Sequence, residues 1–440
     1  MSTHVLMPDT QAILLLCASF GQNRQTEPQP LTLSEYNNLA SWLKENKLRP
    51  ADLLTPIGKD QLPEITGIKL NPNRLIALLE RGVMLGLAVE SWISQGLWIL
   101  GRSDAEYPKR LKKHLRHLAP AILYGIGNIE LLSIGGLAVV GSRDVDEEGI
   151  NYTHRVAQTC AQQGIQIVSG GARGVDQVAM LGALEAAGTA LGMLADSLTK
   201  AAVASMYRSA IREGRLTLVS AYDPDVGFNV GNAMGRNKYI YALADYALVV
   251  SSSFAKGGTW AGAVEALEKQ KDLPVFVRLE GTIPEGNQQL INKGAKSFPK
   301  QPWNDSLRTL LDSAIKANKT EIELTTTNIT VSPIDETKSI RALQNDVEAI
   351  AINDLPSEPA TTALGEVNQY CPQDIYEAVI PFILKSLEQP KSAKSLAECL
   401  DVRPGQIQDW LKRAVAEGKV LKTKTGYLVN QEGFQLSLLP

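Results

Sequence analysis

The stretch VSGGARGVD, residues 168–176, decides how the middle of this chain is read. It ends the apolar run GIQIVSG and opens into VDQVAMLGALEAAG, whose pattern is helical. A strand that turns into a helix through three glycines and an arginine points backbone N–H groups and a helix N-terminus at one spot. Such a spot is a natural seat for an anion. Three occupants are open at this point: a nucleotide, a nucleic-acid phosphate, or none, the loop then being a plain tight turn with an exposed arginine.

Outward from this loop the chain alternates. GLAVVGS reads as a strand, EEGINYTHRVAQTCAQQ as a helix, TALGMLA as a strand and KAAVASMYRSAIREG as a helix. LTLVSAY, DYALVVSS and LPVFVRL continue the strands; NVGNAMGRNKYIYALA and GGTWAGAVEALEKQK continue the helices. The strands are short continuous apolar runs, as expected where helices cover both faces of a parallel sheet. The fold class expected is α/β: a Rossmann-like, doubly wound parallel sheet over residues 119–315. Residues 1–118 carry helical spacing in LTLSEYNNLASWLKENK and NRLIALLERGVMLGLAVESWISQG and are expected to form an N-terminal helical domain. Residues 316–371 turn polar and Pro-, Ser- and Thr-rich, as a linker does. In residues 372–432, three helical patterns followed by the alternating KVLKTKTGYLV describe a winged helix.

Bulk properties narrow the function. A net charge of −3 in 440 residues argues against a globally basic duplex-DNA coat but leaves room for local basic patches. Cys17, Cys160, Cys371 and Cys399 form no CxxC pair, which fits reduced thiols. The N-terminus lacks a basic n-region, and the apolar run AILLLCASF is too short to span a bilayer. A cytoplasmic protein with no membrane partner is the expectation.

In an open α/β sheet, ligands bind outside the carboxyl ends of the strands. Four loops follow strands there: Gly141, Ser142 and Arg143; Ser169, Gly170, Gly171, Arg173 and Gly174; the long DPDVGFNVGNAMGRNK loop with Phe228, Arg236, Asn237 and Lys238; and Lys256, Gly257, Gly258 and Thr259. Each pairs glycine or a small hydroxyl with a cation. Four cation-bearing loops on one edge favour a site for several negative charges, and Phe228 is a candidate base platform or, equally, a loop anchor. Neither a dinucleotide fingerprint nor a GxxxxGK[ST] motif is present, since GIGNIE at 125–130 has Glu130 in place of the third glycine. Asp176, in a first helical turn, reads as a partner of the helix dipole rather than a catalytic group. His114 and His117 lack a third ligand, so no metal or other cofactor is expected, and no nucleophile–base pair is legible.

Read together, these motifs resemble the DNA-processing protein A (DprA/Smf) family. DAEYPKRL (104–111) is similar to its D-x-x-YP-x-x-L element, SGGARGVD (169–176) to SGLARGID, and GRNKYIYALAD (235–245) to RRNRIISGLS. The GSR loop at 141–143 and AKGGTWAGAVEALEKQKDLPVFV complete the order. The resemblance covers about residues 100–280. It implies a core that binds single-stranded DNA, forms a homodimer and helps load a RecA-type recombinase in natural transformation, without catalytic turnover. It places phosphate contacts at Ser142 and Arg143, matches Gly170, Arg173, Gly174 and Asp176 to SGLARGID, and matches Arg236, Asn237 and Lys238 to the RNR motif.

The departures are specific. Gly171 replaces an apolar residue and Lys238 replaces an arginine, losing the guanidinium fork. AKGGTW is closer to the PGGxGTxxE of LOG nucleotide hydrolases, with Glu265 displaced from that motif's acid. A specialised paralogue in plasmid handling or phage defence fits these differences. A LOG-like protein that binds or hydrolyses a nucleotide in the same cleft stays open as an alternative, as does a scaffold with a vestigial cleft. Residues 391–427 carry a net charge of +4, and Lys412, Arg413, Lys422 and Lys424 are candidate DNA contacts of the C-terminal domain.

Overall fold

Six strands, each buried along most of its length, build the centre of the molecule: β3 (Leu137–Gly141), β4 (Ile167–Ser169), β5 (Ala190–Leu194), β6 (Leu216–Ser220), β7 (Tyr246–Ser251) and β8 (Val275–Val277). They belong to a computed structural model that describes residues 6–21, 28–56, 58, 62, 70–303, 305–316, 375–387, 390–399, 404–423 and 426–430. With β1 (Trp98–Gly101), β2 (Ile122–Gly127) and β9 (Lys296–Ser297) they form one sheet in the order β1-β2-β6-β5-β4-β3-β7-β8-β9. All pairs from β6 to β9 are parallel; β2 pairs antiparallel with β6, and β1 antiparallel with β2.

The apolar runs are continuous because both faces are covered. Alternate residues of a strand point to opposite faces. Leu137 and Val139 pack with Tyr152, Val156 and Ala179 from the helices Glu147–Gln162 and Val175–Glu185. Ala138 and Val140 pack instead with Ile240, Ala263 and Leu111 from the helices Val230–Ala242, Gly257–Lys269 and Lys109–Leu115. This is the doubly wound α/β arrangement expected.

The chain leaves β3 in one direction through β4, β5 and β6, then crosses back to β7 on the other side of β3. The switch point therefore lies between the carboxyl ends of β3 and β7. There the register slips, with Val140 opposite Val249 but Gly141 opposite Ser251. Asp146 caps the helix after β3 by accepting from the Gly149 amide at 2.8 Å, and Asn229 caps Val230–Ala242 by accepting from the Asn232 amide at 3.1 Å.

The boundary expected at residue 118 is crossed by a shared core. Leu14, Leu39 and Leu78 of the early helices pack in one cluster with Tyr124, Leu216 and Leu218 of the sheet, and β1 itself falls inside the segment read as helical. KAAVASMYRSAIREG is likewise two helices, Leu198–Ala202 and Ser205–Arg212, not one. The first is pinned to the neighbouring loop, where the Ser197 amide donates to Val226 and the Thr199 hydroxyl to Asp225, each at 2.8 Å. Ala204 then turns extended, and the second helix buries Tyr207 and Ala210.

Residues 333–440 form a separate unit. Its helices Ile375–Ser386, Ala393–Cys399 and Pro404–Ala416 are followed by a hairpin of β10 (Val420–Thr423) and β11 (Gly426–Val429), around a core of Tyr376, Ile383, Leu396, Ile407, Leu411 and Val420. Residues 317–371 of the expected linker, Lys424, and residues 431–432 lie outside the described residues. Among the described residues, no helix is long and apolar enough to cross a membrane.

Candidate functional site

At the switch point lies a cavity of about 580 Å³. Gly141, Ser142 and Arg143 reach it from β3, Asp176 from the first turn after β4, Phe228, Arg236 and Asn237 from the long loop and the helix it opens, and Ser251 to Ser253 and Ala255 to Ala261 from the end of β7. All four expected loops thus reach it, the 170–174 loop through Ala172 alone, its glycines supporting the walls from behind.

That support depends on missing side chains. A Cβ on Gly174, which sits at φ +87°, would lie 2.5 Å from the Ser142 carbonyl oxygen, and the Val175 amide donates to that same oxygen at 3.3 Å. The two loops meet backbone to backbone. A Cβ on Gly170 would overlap the Arg236 guanidinium. Gly171, at φ +67°, adopts a left-handed conformation that a residue with an apolar side chain would hold only under strain. The Thr259 hydroxyl donates to the Gly141 carbonyl at 3.0 Å, and the Asn237 amide group to the Gly258 carbonyl at 2.9 Å, so the last loop is tied to two others.

The expected cations do not all converge. Arg143 lines the cavity, its guanidinium 5.1 Å from the centre of the Phe228 ring. Phe228 is 51% exposed, so this is a cation–π pair at the lip with apolar surface left open. Lys256 lines the cavity and is exposed at the start of the helix Gly257–Lys269, where Gly257 at φ +76° and Gly258 bring unpaired amides forward. Arg236 lines it too but from beneath: it is 5% exposed, donates to the Met193 carbonyl at 2.7 Å, and stands 3.9 Å from Asp176.

Three expected residues lie elsewhere. Arg173 is 74% exposed on the rim side and pairs with Asp144 at 2.7 Å. Lys238 is half-buried away from the cavity, its ammonium 5.2 Å from the Tyr239 ring centre, and burial lowers its pKa. Ser169 is fully buried and donates to the Val139 carbonyl at 2.6 Å, so its hydroxyl serves the sheet. Cation spacing in a sequence does not reveal which side of a helix or strand is covered.

Asp176 proves more than a dipole partner. Burial pushes its pKa up from 3.8 to about 6, partly offset by Arg236 and by the backbone amides of Gly141 and Gly170. Tyr241 and Ser252 also line the floor, and the Tyr241 hydroxyl, the Ser252 hydroxyl and Arg236 Nε make no hydrogen bond within the protein. The sequence signal for Ser252 was the SSS that closes β7; for Tyr241 there was none. The chemistry on offer is a polar floor with a guanidinium N–H and two hydroxyls that the protein leaves unpartnered, beneath a partly aromatic lip.

Glu265 does not line this cavity and pairs with Lys269 at 2.9 Å. The acid that the nucleotide-hydrolase alternative needs is thus occupied on the helix surface.

Residues 98–307 match the family model for DNA recombination-mediator protein A. The chain is 32% identical over 212 residues to Protein Smf of Escherichia coli, covering 46% of this chain and 55% of that protein. It is 27% identical over 207 residues to DNA processing protein DprA of Bacillus subtilis, covering 46% and 69%. The alignment thus spans about half the length of the first relative. Among solved structures, DNA processing protein A from Streptococcus pneumoniae superposes with a TM-score of 0.51 at 21% identity, over 66% of this chain and 94% of that one, a likeness of fold.

Proposed function

We propose, from the match of residues 98–307 to the DNA recombination-mediator protein A family model, that the chain binds single-stranded DNA in the switch-point cleft and mediates its loading onto a RecA-type recombinase. The observation that carries the reading is the Arg143–Phe228 pair at the lip of the switch-point cavity. A flexible strand presents phosphates and unpaired bases together. Arg143 and Lys256, with the first-turn amides of the helix Gly257–Lys269, take the phosphates, and the open Phe228 ring takes a base. A duplex keeps its bases stacked inside and cannot use the ring.

The role is binding and delivery rather than turnover. It extends, by likeness to that family, to a homodimer acting in the cytoplasm on DNA taken up or under recombination. In the C-terminal unit, Lys412 and Lys422 are exposed and suited to backbone phosphates, as a winged helix would use them.

The test is fluorescence anisotropy of labelled oligo-dT against the matching duplex, for the wild type and Arg143→Ala, across a salt series. Tight, single-strand-selective binding that weakens with salt and is lost in the variant supports the reading. Equal affinity for duplex and single strand, or an affinity indifferent to salt, overturns it.

A further inference from the structure

A second aromatic group stands at the cleft, on a loop that departs from the family pattern. Phe254 and Trp260 meet edge to face, ring centroids 5.1 Å apart and planes at 87°. Trp260 lines the cavity and packs against the buried cluster that holds Tyr239, Tyr241 and Ala263. Phe254 does not itself line the cavity but stands between the lining residues Ser253 and Ala255; it is 43% exposed and belongs to none of the hydrophobic clusters among the described residues. Between them Ala255 holds a left-handed φ of +53° and Lys256 is exposed. A non-glycine residue in that conformation persists only where its surroundings fix it. Here the Thr259 hydroxyl anchors the segment to Gly141.

We propose that Phe254, braced by Trp260, is a second base-stacking platform just outside the cleft, so that a bound strand places one base on Phe228 and, as it leaves the cleft, another base on Phe254, with Lys256 on a phosphate beside it. The inference rests on the single-stranded-DNA reading. A large apolar ring partly open to solvent next to a cation, with a rooted ring behind it, is the arrangement that stacking on a nucleobase requires: a braced ring, a face left open to solvent, and a charge for the adjoining phosphate. Val230 and Met234, both exposed and both lining the cavity, continue the apolar rim from Phe228. The strand path thus has one apolar station at the lip of the cleft and a second beside it.

The test compares oligo-dT with an abasic oligodeoxynucleotide of the same length, which keeps every phosphate and lacks every base. The full-length wild type is expected to bind oligo-dT more tightly than the abasic strand. Phe254→Ala should lower oligo-dT affinity about tenfold and bring the ratio of the two affinities close to that of a strand held at Phe228 alone; Phe254→Trp should restore it. A wild-type ratio kept in Phe254→Ala overturns the platform while leaving strand binding intact. Competition by free dTMP as effective per nucleotide as by the strand also overturns it, because the occupant is then a mononucleotide. Failure of the wild type to bind either strand defeats the single-stranded-DNA reading itself.

Discussion

Asp176 and Arg236 stand side by side beneath the cleft, Oδ2 3.9 Å from Nη1, with 6% and 5% of their surfaces exposed. One comes from the turn after β4 and the other from the helix after β6, and both are clamped against Gly170, which has no side chain to separate them. Burial opposes the charge on each, raising the pKa of the acid and lowering that of the arginine, and each partner offsets part of the other's shift. Removing one member of such a pair leaves the other buried and uncompensated.

The pair makes stability depend on pH in a definite direction. Asp176 has a folded pKa of about 6 against an ordinary 3.8. Between these values the folded protein holds more of this proton than the unfolded chain does, so stability falls as pH rises through the window. Its contribution is fully present below about 4 and lost above about 6. Urea denaturation of the wild type and Asp176→Asn from pH 3.5 to 7 should show the wild type losing on the order of 2–3 kcal/mol relative to the variant. Parallel stability curves would remove the assignment.

Gly170 is the most constrained glycine of the site. A Cβ there would lie 1.5 Å from Arg236 Nη1 and 2.4 Å from Asp176 Oδ2, and Arg236 is held in place by the Met193 carbonyl. Gly170→Ala should cost at least ~2 kcal/mol, the scale of overpacking in a rigid core. Gly257→Ala is the control: its φ is +76° but a Cβ there meets nothing within 4 Å, so the cost should be about 1 kcal/mol of backbone strain. Equal effects in chemical denaturation would contradict the clamp.

The strands were legible because their apolar runs are continuous, and continuity needs only local sequence. Leu137 to Val140 and Ala247 to Val250 read as buried on both faces and are. Trp98–Gly101 was not legible, since three apolar residues after a helix carry no period; they become a strand by pairing with Ile122–Gly125 across the chain. In the cleft, the loops were found from glycines and cations, whereas their directions were not. Arg143 and Arg236 look alike in sequence, yet one covers an exposed ring and the other is a floor residue fixed by Met193. Which of them meets solvent depends on strand order and helix packing, and so does the burial of Asp176.

The difference between Arg143 and Arg173 can be measured. Arg143 lines the cavity, whereas Arg173 is spent on Asp144 at the exposed rim. Such surface pairs contribute little to stability. Both alanine variants should therefore fold as the wild type does, within about 0.5 kcal/mol. Arg143→Ala should weaken oligo-dT binding about tenfold or more, and Arg173→Ala by no more than about threefold, at physiological salt. The reverse order would mean that the strand runs over the rim and not through the cleft.

The cations of the C-terminal unit should divide in the same way. The Arg413 guanidinium lies 4.1 Å from the Tyr376 ring centre and its Nε donates to Glu417 at 2.9 Å. Glu417 also accepts from the Tyr376 hydroxyl at 2.7 Å and from Lys419 at 2.8 Å, which joins the first helix to the third and to the start of the hairpin. Lys422, exposed on β10, is free of that network. In the full-length protein, Lys422→Ala should lower the slope of log affinity against log salt by about one while leaving the unfolding of this unit where it was. Arg413→Ala should shift the unfolding transition of the C-terminal unit to lower denaturant, because it removes both the ring contact and the ion pair. If Lys422→Ala leaves the salt slope unchanged, the unit does not touch the DNA backbone at the hairpin, and its basic surface serves another partner.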